Sequence, residues 1–172
     1  MAEAGPSLVQ RGTTLIESRG PWYTHPWLTI RVQLALGAIF VAAAVPKIVD
    51  PPAFAHMIYN YKLAPGWAIN ALAITMPWLE LVAGLALILG IWKREAAALI
   101  GLMLLAFIAA VGINLARGHA IDCGCFDVRE AGKTEAQRLA DMRWVIARDL
   151  GMLLMVAQVL AATAKRDRST LR

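Results

Sequence analysis

Cys123-Gly124-Cys125-Phe126 holds the only two cysteines of the 172-residue chain. They lie one residue apart, just after a long apolar segment, 95–116. A close thiol pair where a membrane helix exits points to redox or metal chemistry at a membrane surface. A disulfide between them would close a small, strained and easily reduced ring, which suits a catalytic couple better than a staple. Gly124 supplies the backbone freedom that this closure needs. Two other readings stand beside it. The thiols could be idle, although cysteines in an oxidising compartment rarely are. Two thiolates could also grip a soft ion such as Cu(I). A closed zinc site is disfavoured, with two cysteines and one nearby histidine, His119.

Glu80 stands in the middle of an apolar stretch, where an ionisable group is costly and marks function by default. The structural alternative is an ion pair with Arg148, about a turn and a half into the last apolar run. Asn114 either borders a pocket or serves as interhelical glue. Trp78, two residues before Glu80, either walls a quinone pocket or packs. Asp149 belongs to the same polar cluster or to the interface. His56 and His119 are proton shuttles or plain surface residues. By depth, Glu80, Asn114 and Arg148 fall in the central to outer part of a bundle, with the cysteine motif just above Asn114. The expectation is a polar pocket under a thiol pair, open toward lipid.

The elements that hold these residues follow from composition. The chain is 59% hydrophobic and only 17% charged, against about a quarter charged in soluble domains. Four apolar runs, 28–49, 67–91, 96–116 and 144–164, each approach the ~20 residues a helix needs to cross a bilayer. The expected fold is all-α: a four-helix transmembrane bundle over 28–164, with a short interfacial helix after the first crossing and an outer loop carrying Cys-x-Cys. Asp50-Pro51-Pro52 reads as a cap and helix restart. Over 53–61, Phe54, Met57, Ile58 and Tyr61 recur at helical spacing as one apolar face. Trp67, Trp92, Trp144, Tyr59 and Tyr61 read as interfacial anchors. Much of the polar loop segment 127–141 has helical composition.

The net charge is +5, with basic residues concentrated toward both termini. This fits contact with anionic lipid and excludes a nucleic-acid surface, since no basic patch is interleaved with aromatics. Segment 1–27 is expected to be cytoplasmic and partly disordered, with no cleavable signal by pattern. Segment 165–172 forms a basic cytoplasmic tail. Lys93-Arg94 and the tail favour an N-in, C-in topology, with the cysteine loop facing the periplasm or cell exterior; the expected location is a bacterial inner membrane, with that loop on the periplasmic side.

In order and spacing these residues resemble the MauE branch of the DoxX-like membrane proteins. The likeness runs from about Arg31 to Leu160. It takes in Lys47-Ile48…Asp50-Pro51…Phe54, Tyr61-Lys62-Leu63-Ala64-Pro65, Pro77…Glu80-Leu81…Gly84, Asn114…Arg117-Gly118, Cys-x-Cys-Phe and Trp144…Arg148-Asp149. One departure is Asp127, where the family often has glycine. The resemblance implies small four-helix proteins that handle disulfides of exported proteins. In methylamine utilisation that means helping methylamine dehydrogenase mature, beside a thioredoxin-like partner.

The resulting expectation is a membrane thiol–disulfide oxidoreductase. Cys123 and Cys125 exchange electrons with a periplasmic thioredoxin-like protein or exported thiol protein. With no second cysteine pair, a membrane quinone is the expected acceptor, by analogy with other four-helix thiol:quinone systems. Glu80, Arg148, Asn114 and Trp78 are the candidate quinone-binding residues, and no metal is assigned. The alternatives are a soft-metal or small-solute transporter, which four helices would serve best as a homo-oligomer, and a non-catalytic assembly factor.

Overall fold

The computed structural model describes residues 25–121 and 134–170. Within them the chain forms five helices and no strand: α1 (Pro26–Val49), α2 (Pro51–Asn60), α3 (Gly66–Leu89), α4 (Lys93–Ala116) and α5 (Glu135–Thr170). Four of these, α1, α3, α4 and the 135–164 part of α5, are long and apolar enough to span a bilayer. Short α2 follows the first of them. The architecture is the expected four-helix membrane bundle. The Cys123–Phe126 element lies outside the described residues, as do segment 1–24 and residues 171–172.

The helices begin and end for local reasons. Asp50 accepts a hydrogen bond from the Ala53 amide at 3.1 Å and so caps α2, with Pro51 in its first turn. Gly90, at φ 73°, ends α3 in the left-handed conformation that glycine tolerates best. The turn to α4 is accordingly short and makes α3 and α4 antiparallel neighbours. Gly118, at φ 70°, ends α4, and the His119 amide reaches back to the Asn114 carbonyl at 3.0 Å.

The fourth crossing helix starts earlier than its apolar run suggests, at Glu135 rather than near Trp144. The cause is a capping box. The Thr134 hydroxyl accepts from the Gln137 amide at 3.4 Å, and the Gln137 side chain accepts from the Thr134 amide at 2.9 Å. Part of the polar loop segment is thus the first turns of α5.

The bundle is built from two intimate pairs, α1 with α3 and α4 with α5, closed by α3–α4 and α1–α5 contacts. Gly37 and Gly84 set the α1–α3 approach. A Cβ on Gly37 would sit 2.7 Å from the Gly84 carbonyl oxygen, and one on Gly84 2.9 Å from that of Gly37. Only glycine lets these backbones meet so closely. The main core, around Leu36, Phe40, Leu87, Ile100 and Val159, fills the half of the bundle nearer the α3–α4 turn. A smaller cluster of Tyr61, Val111, Ile121 and Met142 sits at the cysteine-loop end.

Candidate functional site

Between these two apolar clusters lies a cavity of about 230 Å³. All five helices contribute to it. Phe40 and Lys47 come from α1, Met76 and Glu80 from α3, Met103 and Phe107 from α4, and Arg148, Asp149 and Met152 from α5. Helix α2 and the turn after it form one wall. Phe54, Met57, Ile58 and Tyr61, the apolar face expected from their spacing, all border the cavity. Tyr61 is therefore buried, at 9% exposure, rather than an interfacial anchor. Its ring packs near Phe107, with centroids 6.3 Å apart. Trp67, Trp92, Trp144 and Tyr59 are exposed, as anchors would be.

Four charged side chains enter this apolar wall, and they form two pairs. The Lys47 ammonium donates to both oxygens of Glu80 at 2.7 Å, and it lies 5.3 Å from the Phe54 ring. The Lys47 and Glu80 side chains are only 8% and 12% exposed. Arg148 donates through Nε and Nη2 to Asp149 Oδ1, at 3.0 and 2.9 Å. Asp149 is 1% exposed. The quartet is formally neutral, the arrangement that makes charge tolerable in a membrane interior.

The expected Glu80–Arg148 pair is thus replaced by Glu80–Lys47 and Arg148–Asp149. The reason is the glycine crossing. It holds α3 against α1, and helical side chains lean toward their own N-termini. Across an antiparallel pair, Lys47 and Glu80 therefore lean into each other. Lys47 is not among the site residues expected from the sequence. Its signal was available: a lone cation just after Pro46, on the buried stripe Gln33, Leu36, Phe40, Ala44, Lys47. Asp149 was legible as a candidate for the polar cluster but not as Arg148's partner.

The remaining two candidates do not border the cavity. Trp78 is 53% exposed and faces away from it. On α3 the inward positions are Ala73, Met76, Pro77, Glu80 and Gly84, and Trp78, two residues from Glu80, falls on the opposite side of the helix. Asn114 is fully buried. Its amide donates to the Tyr61 carbonyl at 3.1 Å and to the Ala110 carbonyl at 3.0 Å. It ties the end of α4 to the chain leaving α2, one layer nearer the cysteine loop than the cavity. Cys123 and Cys125 fall outside the described residues. Among the described residues no three His, Cys, Asp or Glu side chains gather as a metal site.

A sequence model described as "Methylamine utilisation protein MauE" matches residues 25–162. Among characterised proteins, the chain is 38% identical over 103 residues to methylamine utilization protein MauE of Methylorubrum extorquens, covering 59% of this chain and 55% of that one. It is 34% identical over 101 residues to MauE of Methylophilus methylotrophus, covering 58% and 53%. With MauE of Paracoccus denitrificans the identity is 32% over 103 residues, covering 59% and 55%. The matched stretch spans about half the length of these curated relatives. No solved structure matches the chain. A four-helix membrane bundle, matched by the family model from the start of its first crossing nearly to the end of its last, belongs to the MauE family.

Proposed function

We propose that this membrane protein is a thiol–disulfide oxidoreductase that passes electrons from protein thiols, through Cys123 and Cys125, to a quinone held in the bundle cavity. As the name of its relatives suggests, it would act in methylamine utilisation, and the thiol partner would be an exported enzyme such as methylamine dehydrogenase, or a thioredoxin-like protein serving it. The N-in, C-in topology, with the cysteine loop on the periplasmic side of the inner membrane, belongs to this proposal.

The observation that carries it is the cavity with its ionic quartet, just beneath the end of the bundle from which the cysteine loop departs. A quinone head is a flat, largely apolar ring with carbonyl acceptors. The lining fits that chemistry: aromatic and methionine side chains around the ring, and two cations, Lys47 and Arg148, in the wall. Methionine is soft and conforms to irregular or polarisable surfaces. An ammonium has three N–H donors, and Glu80 takes two of those on Lys47. Ile121, two residues before Cys123 in the sequence, is buried at the cysteine-loop end.

Closing the Cys123–Cys125 disulfide breaks two S–H bonds, forms one S–S bond and releases two electrons and two protons. A bound quinone would take up both to become a quinol. Lys47 and Arg148 hold the ligand's polar edge, while Glu80 and Asp149 keep those cations in place. Burial in the apolar wall strengthens each of these contacts relative to water.

Soft-metal transport is the second reading. Its specific support is four methionines, Met57, Met76, Met103 and Met152, that line the cavity, one from each of α2 to α5. It fits less well because Glu80 is already clasped by Lys47 and Asn114 lies outside the cavity.

The test is steady-state turnover of the purified protein with a reduced thioredoxin-like protein and a soluble ubiquinone analogue, read by quinone absorbance. The expected result is catalytic quinol formation, abolished in Cys123→Ser and in Cys125→Ser. No turnover, or turnover unchanged in both variants, refutes the proposal.

A further inference from the structure

We infer that the protons consumed in the cavity enter and leave only on the cysteine-loop side, so that thiol oxidation by the membrane quinone moves no net charge across the bilayer. This rests on the thiol:quinone reading and adds to it where the protons travel.

The basis is the composition and packing of one layer of the bundle. On the side away from the cysteine loop, the cavity is closed by the main core, including Leu36, Phe40, Ala83, Leu87, Ile100 and Val156. In this layer not only the inward positions but every residue is apolar. Segments 34–46, 81–91, 96–113 and 150–157 contain no hydroxyl, amide, imidazole, carboxylate or basic side chain. The shortest of them, eight residues of α5, spans about 12 Å of helix axis. The nearest polar groups beyond it inside the bundle are the buried Thr29 and Gln33 and the partly buried Gln158, whose amide donates to Thr29 Oγ1 at 3.0 Å. Gln33 and Lys47 share one buried stripe of α1 but stand 14 residues apart, about 21 Å along the axis. Intramembrane proton relays are chains of ionisable or hydrogen-bonding groups. This layer offers none, and its inward side chains, Leu36, Phe40, Ala83, Leu87, Ile100 and Val156, are each 7% exposed or less.

The opposite side differs. Arg148 stands two residues nearer the start of α5 than the apolar segment 150–157 and is 27% exposed, so the ionic quartet is not fully sealed. Asn114 stands between the cavity wall and the turn that leads to the cysteine loop. It is fully buried, and its Oδ1 has no hydrogen-bond partner among the described residues. A buried acceptor of this kind is a natural station for a water molecule, which buried polar groups commonly recruit. Its Nδ2 already reaches the Tyr61 carbonyl, and Tyr61 borders the cavity.

Two protons leave the thiols on the loop side as the S–S bond forms. Two protons enter the cavity from that same side as two electrons reduce the quinone. None crosses the apolar layer.

The experiment uses the full chain in proteoliposomes with a pH-sensitive dye trapped inside and ubiquinone-1 in the membrane. Reduced thioredoxin-like protein, which cannot cross the bilayer, is added outside, so only molecules with the loop outward react. The expected result is quinol formation with constant internal pH, no signal from a potential-sensitive dye, and a rate unaffected by a protonophore. Internal alkalinisation approaching two protons per quinol overturns the inference while leaving the thiol:quinone reading intact. No quinol formation at all refutes that reading, and the inference with it.

Discussion

Lys47 and Glu80, 33 residues apart in sequence, meet with the ammonium 2.7 Å from each carboxylate oxygen, in a cavity wall that is apolar apart from this pair, Arg148, Asp149 and Tyr61. The contact joins the first and third helices beside the cavity. Lys47→Met leaves the Glu80 carboxylate buried without its cation, and removing one partner of a buried pair costs about 3–5 kcal/mol. Thermal unfolding in detergent should register this as a large loss of stability. Lys47→Met combined with Glu80→Leu should recover most of that stability while quinol formation stays low. Recovery of activity along with stability would make the pair purely structural.

The Gly37–Gly84 crossing is what allows this contact. A Cβ on Gly84 would lie 2.9 Å from the Gly37 carbonyl oxygen and 3.0 Å from Val41 Cγ2. Gly84→Val should therefore push α1 and α3 apart, at a cost of about 1–3 kcal/mol from overpacking. The same unfolding measurement should show a drop, accompanied by reduced turnover. Gly112→Ala, at a position with open space around it, should show neither.

Trp78 and Met103 make a contrasting pair. Trp78 faces outward and Met103 borders the cavity. Trp78→Leu should leave the KM for quinone within about twofold, since substitutions away from packed or paired groups rarely exceed ~0.5 kcal/mol. Met103→Trp occupies cavity space and should raise KM about tenfold, equivalent to ~1.4 kcal/mol. Quinone titrations of both variants, with thiol donor in excess, check this.

Much of the fold was legible because membrane helices declare themselves by length and apolarity. The Asp50-Pro51-Pro52 restart and the Phe54–Met57–Ile58–Tyr61 face followed from capping and spacing, and that face borders the cavity. The site was legible only in part. Glu80 and Arg148 stand in the cavity wall as expected, but with other partners. Pairing depends on which helices touch and at what height, and no local pattern in α3 or α5 encodes the Gly37–Gly84 crossing. Trp78 was misplaced because nearness in sequence to Glu80 is not nearness around a helix. The early start of α5 was missed because a capping box amid polar residues carries no apolar signal.

Asn114 holds the end of α4 to the chain after α2 through the Tyr61 carbonyl. Asn114→Leu removes that bond, a loss of about 0.5–1.5 kcal/mol. Hydrogen exchange of residues 54–64 should speed up in this variant while α1 and α3 stay protected. Uniform loss of protection across the bundle would contradict a local tie.

The central claim is that one thiol pair and one cavity-bound quinone suffice for the redox step. Single turnover tests it most directly. The reduced protein, free of any partner, is mixed without oxygen with one equivalent of ubiquinone-1, and thiols are trapped with maleimide over time. The account predicts that one quinol appears per chain as Cys123 and Cys125 lose maleimide reactivity together, and that a bulky residue at Met103 slows both. Quinone left oxidised with both thiols still labelled would contradict it.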